Sequence, residues 1–436
     1  MIDVESIPAR DWSGFTSYGD EEKVYCPKSE AEISDLVRQC YAHQKKLRVV
    51  GNRTSWSALW YCEDVIMSTR HLDTIKEIDV ANRTVTCEAG VTVKDLQEAL
   101  WAKGLILDTA PGIDWITVGG SVSTGSHGSG CASMSSSLIS CRLVLGNADG
   151  EVIEIGEEDE RMDAVRISLG MLGVLSTLTL RVVDAFWVKI KQTRILTQEW
   201  QRFLTQGEMS YALWFPHTDY TVLIQADIVD TPPPFSPQKK TNENAPDLGK
   251  YARAVSELAN LMHSTFPARN RYLLDIFFKD RETFGPMHEL LTSFESPPIA
   301  GSEWSIPYSR FQEVLTKMQE ETIQGNLFLP APVFLKKVET ETAWLRAADE
   351  PSVQCGIYHD LIEGTPSHAK DMVMQIEKLM VSYGGRPHLG KLIYLDSNAL
   401  KKSYFRWDKF DALRRKMDPT GMFWNLAIEK LFGLKK

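Results

Sequence analysis

The sequence predicts an α+β protein built from more than one domain, and three observations support that prediction. The chain has 436 residues, which is more than a single hydrophobic core usually accommodates. Segments with apolar residues at helical spacing are interspersed with short runs that have the composition of β-strands. After about residue 187 the pattern changes to aromatic, strand-like pieces, so we expect a second domain to begin there.

The first part of the chain predicts alternating strands and helices. Residues 30–46 have helical periodicity and follow a strand near Val24. A second helix is predicted over 92–104, with Thr92 as its N-terminal cap and Gly104 as its stop. Strands are predicted over 47–51, 65–69, 75–79 and 84–90. Further along, 138–155 predicts a hairpin with the turn NADG, and 164–183 a helix broken by two glycines and followed by a strand.

The second part predicts a different arrangement. Strand-like pieces at 211–216 and 220–229 precede a polar, Pro-rich stretch, 230–250, which predicts a mobile surface loop. Helices are predicted near 250–265 and over 308–322. The C-terminal block predicts one helix among aromatic-rich turns.

Composition narrows the class of protein. A net charge of −10 is the opposite of what binding to a phosphate backbone requires, so we expect no nucleic acid partner. We find no run of about 18 apolar residues that would predict a membrane span, and the N-terminus lacks the apolar segment of a signal peptide. The seven cysteines form no CxxC pair, which indicates neither a zinc site nor a disulfide framework. We therefore expect a cytoplasmic protein.

Three loops have sequences suited to binding. VVGNRTSWS (49–57) runs from a strand into a glycine and small polar residues, which form either an anion nest or a plain tight turn. GGSVSTGSHGSG (119–130) offers backbone amides and short hydroxyls to a phosphate-bearing ligand, whereas a flexible linker is the alternative. GGRPHLGK (384–391) places an imidazole and an ammonium three residues apart, or is a turn with two surface charges. Neither the GxGxxG nor the GxxxxGK[ST] pattern occurs, so a nucleotide would be bound in another way.

Taken in order, these loops resemble the vanillyl-alcohol oxidase type of FAD flavoproteins, and within it the branch of sugar-lactone and alditol oxidases. The resemblance covers most of the chain and includes ITVGGSVSTGSHGSG, LGMLGVLSTLTLRV, WFPHTD, SEWSIP and RPHLGK. It implies a two-part FAD-binding domain of the PCMH type over 1–187 and an α+β substrate-binding cap domain with a mixed or antiparallel sheet over 188–380. A C-terminal segment, 381–436, would complete the active site and return to the FAD domain.

The resemblance implies that the first two loops wrap the diphosphate of FAD. An acidic chain can bind this dianion because local dipoles at the site, and not the net charge of the protein, determine whether an anion binds there. Gly128 would let the chain pass close to the cofactor, and Val174 would meet the adenine. The positions implied to bind FAD are Gly51, Asn52, Arg53, Thr54, Ser55, Gly112, Thr117, Gly120, Thr124, Gly125, Ser126, His127, Gly128 and Val174.

The first loop departs from the family pattern at Thr54. Related oxidases usually have G-x-x-H-S there, and the histidine carries the flavin covalently. A threonine hydroxyl cannot replace imidazole in that linkage, so we expect non-covalent FAD with a lower oxidising power.

The substrate side departs as well. Members that oxidise polyols and lactones tend to have a Glu-x-Arg pair facing the flavin, where this chain has Phe334 and Lys336. Leu389 stands where the related HWGK motif has an aromatic residue. Losing a glutamate removes an acceptor for sugar hydroxyls, so both changes imply a substrate pocket for a less polar small molecule.

The resemblance implies hydride transfer from a C–H bond to flavin N5, with a base that takes the hydroxyl proton and with no metal. Lys391 is the first candidate for the base, since desolvation would lower its pKa. A protonated Lys391 that stabilises the reduced flavin is equally compatible. His388 is the second candidate, as base or to orient the substrate, and Lys336 would serve where arginine normally stands.

Molecular oxygen is the expected electron acceptor. Pro111 aligns with a position that bears on oxygen access, and proline there is typical of oxidases, although it is also a routine turn former. The leading hypothesis is an oxidase of an alcohol, lactone or related hydroxyl compound. The alternatives are a tailoring oxidase of an apolar biosynthetic intermediate, a dehydrogenase with another acceptor, and a protein that keeps FAD only as a structural ligand. The RPHLGK motif, on the reactive side of the ring, argues against the last.

Overall fold

The structure is a computed structural model that describes residues 2–14, 16–207, 209–229, 266–292, 300–327, 329–359 and 366–434. The loop predicted over 230–250 and the helix predicted near 250–265 lie outside the described residues. Helices and strands both contribute, so the predicted α+β class is confirmed. Among the described residues, every helix is too short or too polar to cross a bilayer.

The N-terminal half contains two main sheets. The first pairs its outer hairpin antiparallel and its other strands parallel. Its order is β1 (Asp3–Arg10), β2 (Ser17–Cys26), β4 (Val65–Ser68), β3 (Leu47–Val50). The second is antiparallel, in the order β5 (Ile75–Asp79), β6 (Thr84–Glu88), β10 (Val174–Arg181), β8 (Leu138–Val144), β9 (Val152–Gly156). Two short strands, β7 (Leu105–Ile106) and β11 (Val183–Asp184), pair separately. The strands predicted in this half are confirmed, whereas β1 was not predicted.

Two predicted helices are confirmed with local corrections. Helix α1 (Glu30–Ala42) begins after Ser29, whose hydroxyl accepts the backbone N–H of Glu32. It ends four residues earlier than predicted, since Gln44 has a φ of 52° that no helix continues. Helix α2 (Val93–Trp101) is capped by Thr92 as predicted, and Gly104 follows it with a φ of 71°. The short helix α4 (Met162–Val165) precedes the two predicted glycine breaks.

The Gly/Ser stretch contains a helix where a loop was predicted. Helix α3 (Val118–Thr124) starts at Thr117, whose side chain accepts the N–H of Gly120, and ends at Gly125 in a left-handed conformation. Its glycines allow close packing, because a Cβ on Gly119 would lie 2.8 Å from the Cβ of Ala89. The loop prediction was therefore wrong for 119–124.

The second half is organised around one antiparallel sheet of eight strands. Its order is β15 (Arg281–Pro286), β12 (Trp187–Leu196), β14 (Tyr220–Val229), β13 (Tyr211–Trp214), β17 (Val333–Val338), β18 (Ser352–His359), β16 (Ala300–Pro307), β19 (Arg386–Pro387). The helices among the described residues of this half are α5 (Phe266–Phe277), α6 (Met287–Leu291), α7 (Tyr308–Ile323) and α8 (Pro366–Ser382). Helix α7 confirms the prediction over 308–322.

The C-terminal segment holds three helices, not the one predicted: α9 (Ser397–Ser403), α10 (Trp407–Met417) and α11 (Leu426–Phe432). Phe410 and Phe432 are buried in the same core as Leu96 and Val122 of the first half. The buried Arg48 of β3 reinforces this contact. Its guanidinium donates to the carbonyls of Leu59 (2.8 Å), Leu169 (3.0 Å) and Phe423 (2.7 Å), which ties the C-terminal segment to the first sheet.

The two halves meet where the third predicted loop lies. The backbone N–H of Trp56 donates to the Gly390 carbonyl at 3.1 Å, and that of His388 donates to the Glu303 carbonyl at 2.9 Å. A Cβ on Gly301 would lie 3.0 Å from the Trp56 ring. Loop 51–57, strand β16 and segment 386–391 therefore converge on one region.

Candidate active site

A cleft enclosing about 880 Å³ of unfilled space opens in the N-terminal half, and we call it the cofactor cleft. Loop 51–55, helix α3 and segment 169–175 line it. The predicted cofactor residues found there are Gly51, Asn52, Arg53, Thr54, Ser55, Thr117, Gly120, Thr124 and Ser126. The structure thus brings the first two predicted loops together. Arg48, Thr69 and Gly170 also line the cleft and were not predicted.

Loop 51–55 is fixed by the side-chain contacts of two adjacent residues, Asn52 and Arg53. Arg53, with a φ of 55°, donates from its guanidinium to the carbonyls of Pro8 and of Arg10 (2.9 Å). The Asn52 side-chain amide donates to the Trp115 carbonyl. Gly51 leaves no room for a side chain, because a Cβ there would lie 2.1 Å from the Thr117 hydroxyl oxygen. The backbone is thereby presented to the cleft.

The chemistry of the loop fits a diphosphate. Among the described residues, the backbone N–H groups of 52–55 have no acceptor. Successive unpaired amides in a turn with a positive φ form a concave donor surface for an anion. Phosphate oxygens would satisfy these donors, which otherwise would be left to water. Residues 51–55, with Thr117 and Ser126 opposite, are therefore suited to hold the diphosphate of FAD.

Five predicted cofactor residues do not line this cleft. Gly125 and His127 line a second cavity of about 320 Å³ that also includes Glu341, Arg346 and Gln354. Gly128 instead packs on backbone, since a Cβ there would lie 2.5 Å from the Gly112 nitrogen. The Val174 side chain is buried in a core, although its neighbours Gly173 and Leu175 line the cleft. Cofactor contact by Gly112, Gly125, His127, Gly128 and Val174 stays a prediction.

A buried carboxylate, Glu303, was not predicted as a functional residue. It lies on β16 with a 7% exposed side chain, and its Oε1 is 2.6 Å from His127 Nε2. The side-chain amide of Gln354, on β18, donates to the same oxygen. We call these three residues the Glu303 cluster. The signal was present in SEWSIP, because an acidic residue in a fully buried strand needs a partner or a function.

Glu303 is held in its ionised form. Burial alone would raise the pKa of the carboxyl, but the electrostatic influence of His127, His388 and Lys391, together with the hydrogen bond to His127, outweighs burial and brings the pKa below its ordinary value. Gln354 leaves its own Oε1 without a partner, and His127 likewise leaves Nδ1 unpartnered among the described residues. The cluster is therefore a buried anion with two donors on one oxygen.

His388 lies beside this cluster with both ring nitrogens engaged. Its Nδ1 accepts the N–H of Gly390 at 3.1 Å, and its Nε2 is 3.1 Å from the Gly125 carbonyl. Burial lowers the pKa of His388 to about 4, so the ring is neutral at neutral pH with its proton on Nε2. This arrangement fixes the turn 388–390 against the end of α3.

His127, Glu303 and His388 lie close enough together to be considered as ligands of one metal ion. Ligand atoms of His127, Glu303 and His388 lie within 4.8 Å of one another. His388 has no free lone pair to offer, because Nδ1 accepts from Gly390 and Nε2 faces a carbonyl. We therefore interpret the group as hydrogen-bonded, and the expectation of no metal stays a prediction.

Lys391 reaches the same region with its ammonium on an aromatic face. Its Nζ lies 3.8 Å from the centroid of the Trp56 ring. Burial lowers the pKa of Lys391, and the negative charge of Glu303 opposes that shift. Trp56 also meets Tyr358 edge to face, with centroids 6.0 Å apart. The structure therefore brings Lys391 and His388 together around Glu303, and their roles on the reactive side of the flavin stay a prediction.

The other predicted substrate-side residues are placed differently. Phe334 is half-buried and faces Tyr211, with ring centroids 5.2 Å apart. Lys336 is fully buried, and its ammonium donates to the carbonyls of Ser129 and Ser210, each at 3.1 Å. Leu389 is 3% exposed in the core of the first half and lines neither cavity, so its side chain has a packing role.

Comparison with known proteins gives two family matches. The model of the D-arabinono-1,4-lactone oxidase family matches residues 178–431, and that of the FAD binding domain matches residues 22–156. L-gulonolactone oxidase of Mus musculus is 26% identical, over 98% of this chain and 99% of its own. Alditol oxidase of a Streptomyces species is 27% identical over the same shares. L-gulono-1,4-lactone dehydrogenase of Mycobacterium tuberculosis is 25% identical, over 93% of this chain and 95% of its own.

Solved structures show the same fold. Cholesterol oxidase from Brevibacterium sterolicum superposes with a TM-score of 0.82, at 16% identity, over 99% of this chain and 97% of its own. A solvent-stable cholesterol oxidase superposes with a TM-score of 0.80 at 18% identity. At such identities the likeness concerns the fold alone, and with the FAD binding domain match it confirms the predicted PCMH-type architecture.

Proposed function

This chain belongs to the D-arabinono-1,4-lactone oxidase family and is an FAD-dependent oxidoreductase of CH–OH groups, and we propose that its substrate is an alcohol less polar than a sugar. Bound FAD supplies the two-electron oxidant, which accepts hydride at N5. The protein supplies the positions of the substrate hydroxyl and of the charges around it.

One observation carries the proposal on polarity: a hydrocarbon wall stands beside the Glu303 carboxylate. A Cβ on Gly356 would lie 3.4 Å from the Cβ of Phe334 and 3.7 Å from Oε2 of Glu303. Phe334 in turn packs on the Tyr211 ring. A substrate placed there would have a hydroxyl at the carboxylate and an apolar flank on the two rings. Such a site discriminates by shape and apolar area rather than by many hydroxyls.

The placement of Lys336 supports the same proposal. Its ammonium is used inside the protein, where it joins the carbonyl of Ser129 in the first half to that of Ser210 in the second. A cation committed to two carbonyls does not extend toward sugar oxygens. Lys336 therefore acts as a positioning residue between the halves.

Two further proposals concern the cofactor and its reoxidation. We propose that FAD is bound without a covalent link, since Thr54 lines the cofactor cleft at the position of the family's linking histidine. We propose O2 as the electron acceptor. Pro111 supports this proposal, because proline at its position is typical of oxidases, and its backbone pairs with Gly128. The names of the oxidase relatives support it as well. The dehydrogenase relative makes another acceptor the alternative.

A reducing location, such as the cytoplasm, is also proposed. All seven cysteines are buried and none forms a disulfide, which is the state expected in a reducing compartment. Expression of the protein in an oxidising compartment, followed by titration of its thiols, tests this proposal.

The substrate proposal is tested by anaerobic bleaching of the flavin at 450 nm with a panel of hydroxyl compounds. We expect cyclohexanol and longer secondary alcohols to reduce the flavin faster than xylitol or L-gulono-1,4-lactone. The variant Phe334→Gln, which adds a hydrogen-bonding group without a charge, should shift the preference toward the polar compounds. Faster bleaching by the lactone or the alditol in the wild type would instead favour the activity in the relatives' names.

A further inference from the structure

Glu303 stands out because one of its carboxylate oxygens is held and the other is open. Oε1 lies 2.6 Å from His127 Nε2 and accepts a hydrogen bond from the side-chain amide of Gln354. Among the described residues, nothing donates to Oε2. Gly356 and Phe334 are its neighbours, since a Cβ on Gly356 would lie 3.7 Å from Oε2 and 3.4 Å from the Cβ of Phe334. The carboxylate is thus fixed in orientation and has one free acceptor toward the apolar wall.

We propose that Glu303 is the proton acceptor of the oxidation, and that its Oε2 takes the proton of the substrate hydroxyl as the neighbouring C–H bond breaks. The inference rests on the proposed function, because a base is needed only if a hydroxyl is oxidised. It separates two roles that the sequence could not separate: Glu303 is the base and Lys391 is a fixed cation.

The step balances as a two-electron oxidation of an alcohol. The C–H bond breaks with its electron pair, which leaves as hydride to FAD. The O–H bond breaks as well; its electron pair forms the second carbon–oxygen bond, and its proton bonds to Oε2 of Glu303. The product is a carbonyl compound, and Glu303 returns its proton to water before the next turnover.

The two other candidates for the base, His388 and Lys391, are already engaged in contacts within the protein. His388 would have to break its contacts with Gly390 and Gly125 before either nitrogen could take a proton from a substrate. Lys391 lies on the face of Trp56 at 3.8 Å, and a ring face attracts the ammonium form, not the neutral amine. Geometry therefore favours the carboxylate as the base over both residues.

A carboxylate is a weak base, but it suffices here. As hydride leaves, the substrate hydroxyl becomes the O–H of a protonated carbonyl, a much stronger acid than a carboxylic acid. The proton therefore moves downhill to Glu303 during or after hydride transfer. Because the pKa of Glu303 lies below its ordinary value, the accepting form is present at neutral pH.

His127 and Gln354 are positioning residues. Both donate to Oε1 and so fix the plane of the carboxylate, which leaves Oε2 as the free acceptor. Their chain positions, on the loop after α3 and on β18, place one support in each half of the molecule. Closure of the two halves and orientation of the base are therefore linked.

The test uses the FAD-loaded protein in anaerobic stopped-flow experiments with cyclohexanol and xylitol as probes. We expect Glu303→Gln to keep its FAD but to reduce it about 10²- to 10⁴-fold more slowly, which is the usual contribution of a general base. Glu303→Ala should be equally slow and should regain part of its rate with added formate. Glu339→Gln, a carboxylate of the second cavity with no contact to Glu303, is the matched control and should react like wild type.

Wild-type rates in Glu303→Gln would overturn the assignment, as would a slow Glu303→Ala variant with bound FAD that formate does not rescue. If neither probe reduces the wild type, the proposed function fails for these alcohols. NMR of ¹⁵N-labelled histidines tests the assignment apart from activity. We expect the His127 Nε2 resonance to shift in Glu303→Gln, and unchanged spectra would count against a carboxylate–imidazole pair.

The variant His127→Gln separates positioning from simple structural support. Removing His127 takes away one cause that lowers the pKa of Glu303 while burial still raises it, so the pKa should rise and an acid limb should enter the pH–rate profile of flavin reduction. A purely structural role would lower the rate equally at all pH values. The titratable groups that face Glu303 are His127, His388, Lys391, Cys355 and Tyr358.

Discussion

At the scale of single residues, the cofactor cleft depends on a missing side chain at Gly51. A Cβ there would lie 2.1 Å from Oγ1 of Thr117, the residue that also caps α3, so neither side can yield easily. Overpacking of this kind costs about 1–3 kcal/mol. Here it would push apart loop 51–55 and the start of helix α3, which form two walls of the cleft.

We therefore predict that Gly51→Ala weakens FAD binding about ten- to hundredfold. Titration of apoprotein with FAD, followed by flavin fluorescence, measures the dissociation constant. Gly156→Ala is the matched control, because a Cβ there meets nothing within 4 Å. Equal affinities for the two variants would mean that this wall does not contact the cofactor.

Residue-level prediction from sequence succeeded where the signal was local and failed where it was not. Gly51 and Thr117 could be singled out because short loops of small residues are visible in the chain. Glu303 was not singled out: SEWSIP shows an acid in a strand-like segment, but its partners, His127 and Gln354, are distant in sequence. Leu389 was assigned to a pocket by motif position, but the fold turns its side chain into the core.

At the scale of secondary-structure elements, periodicity and capping predicted more than composition did. Helix α2 was found from its Thr92 cap and its stop at Gly104. Helix α3 was missed because its glycines and serines suggest a loop, although Thr117 and Gly125 are ordinary capping residues. The strand order of the large sheet could not be predicted, because β12 pairs with β15, β13 with β17 and β16 with β18 across long stretches of chain.

Helix α8 carries a buried acid with a consequence for stability. Glu377 is 3% exposed, and its Oε1 accepts the N–H of Tyr394 at 2.7 Å, which fastens the segment after RPHLGK to the helix. Burial raises the pKa of Glu377 to about 7, from 4.5 when unperturbed. Its folded state thus binds a proton more tightly than its unfolded state does.

The resulting stability is present below pH 4.5 and is lost as the pH rises through about 7. We predict that wild type loses up to about 3 kcal/mol of unfolding free energy relative to Glu377→Gln between pH 4.5 and pH 8. Urea unfolding at several pH values measures this difference. Asp371→Asn, an exposed position on the same helix, should show no such trend, and parallel pH curves for wild type and Glu377→Gln would contradict the account.

At the scale of the whole molecule, the site exists only where the two halves and the C-terminal segment meet. Arg48 joins the first sheet to Phe423, Lys336 joins the halves through Ser129 and Ser210, and His127 reaches across to Glu303. None of these contacts can be read from periodicity. The resemblance in sequence motifs predicted the convergence of the three loops, and the domain limits 1–187, 188–380 and 381–436 remain a proposal.

We propose that the cofactor cleft, formed by the loops of the first half, holds one FAD per chain without a covalent link. Acid precipitation of the purified, FAD-saturated protein tests it most directly, with the flavin measured in the supernatant at 450 nm. We expect a colourless pellet and one equivalent of FAD in the supernatant. A yellow pellet, or a folded chain that takes up no added FAD, would contradict it.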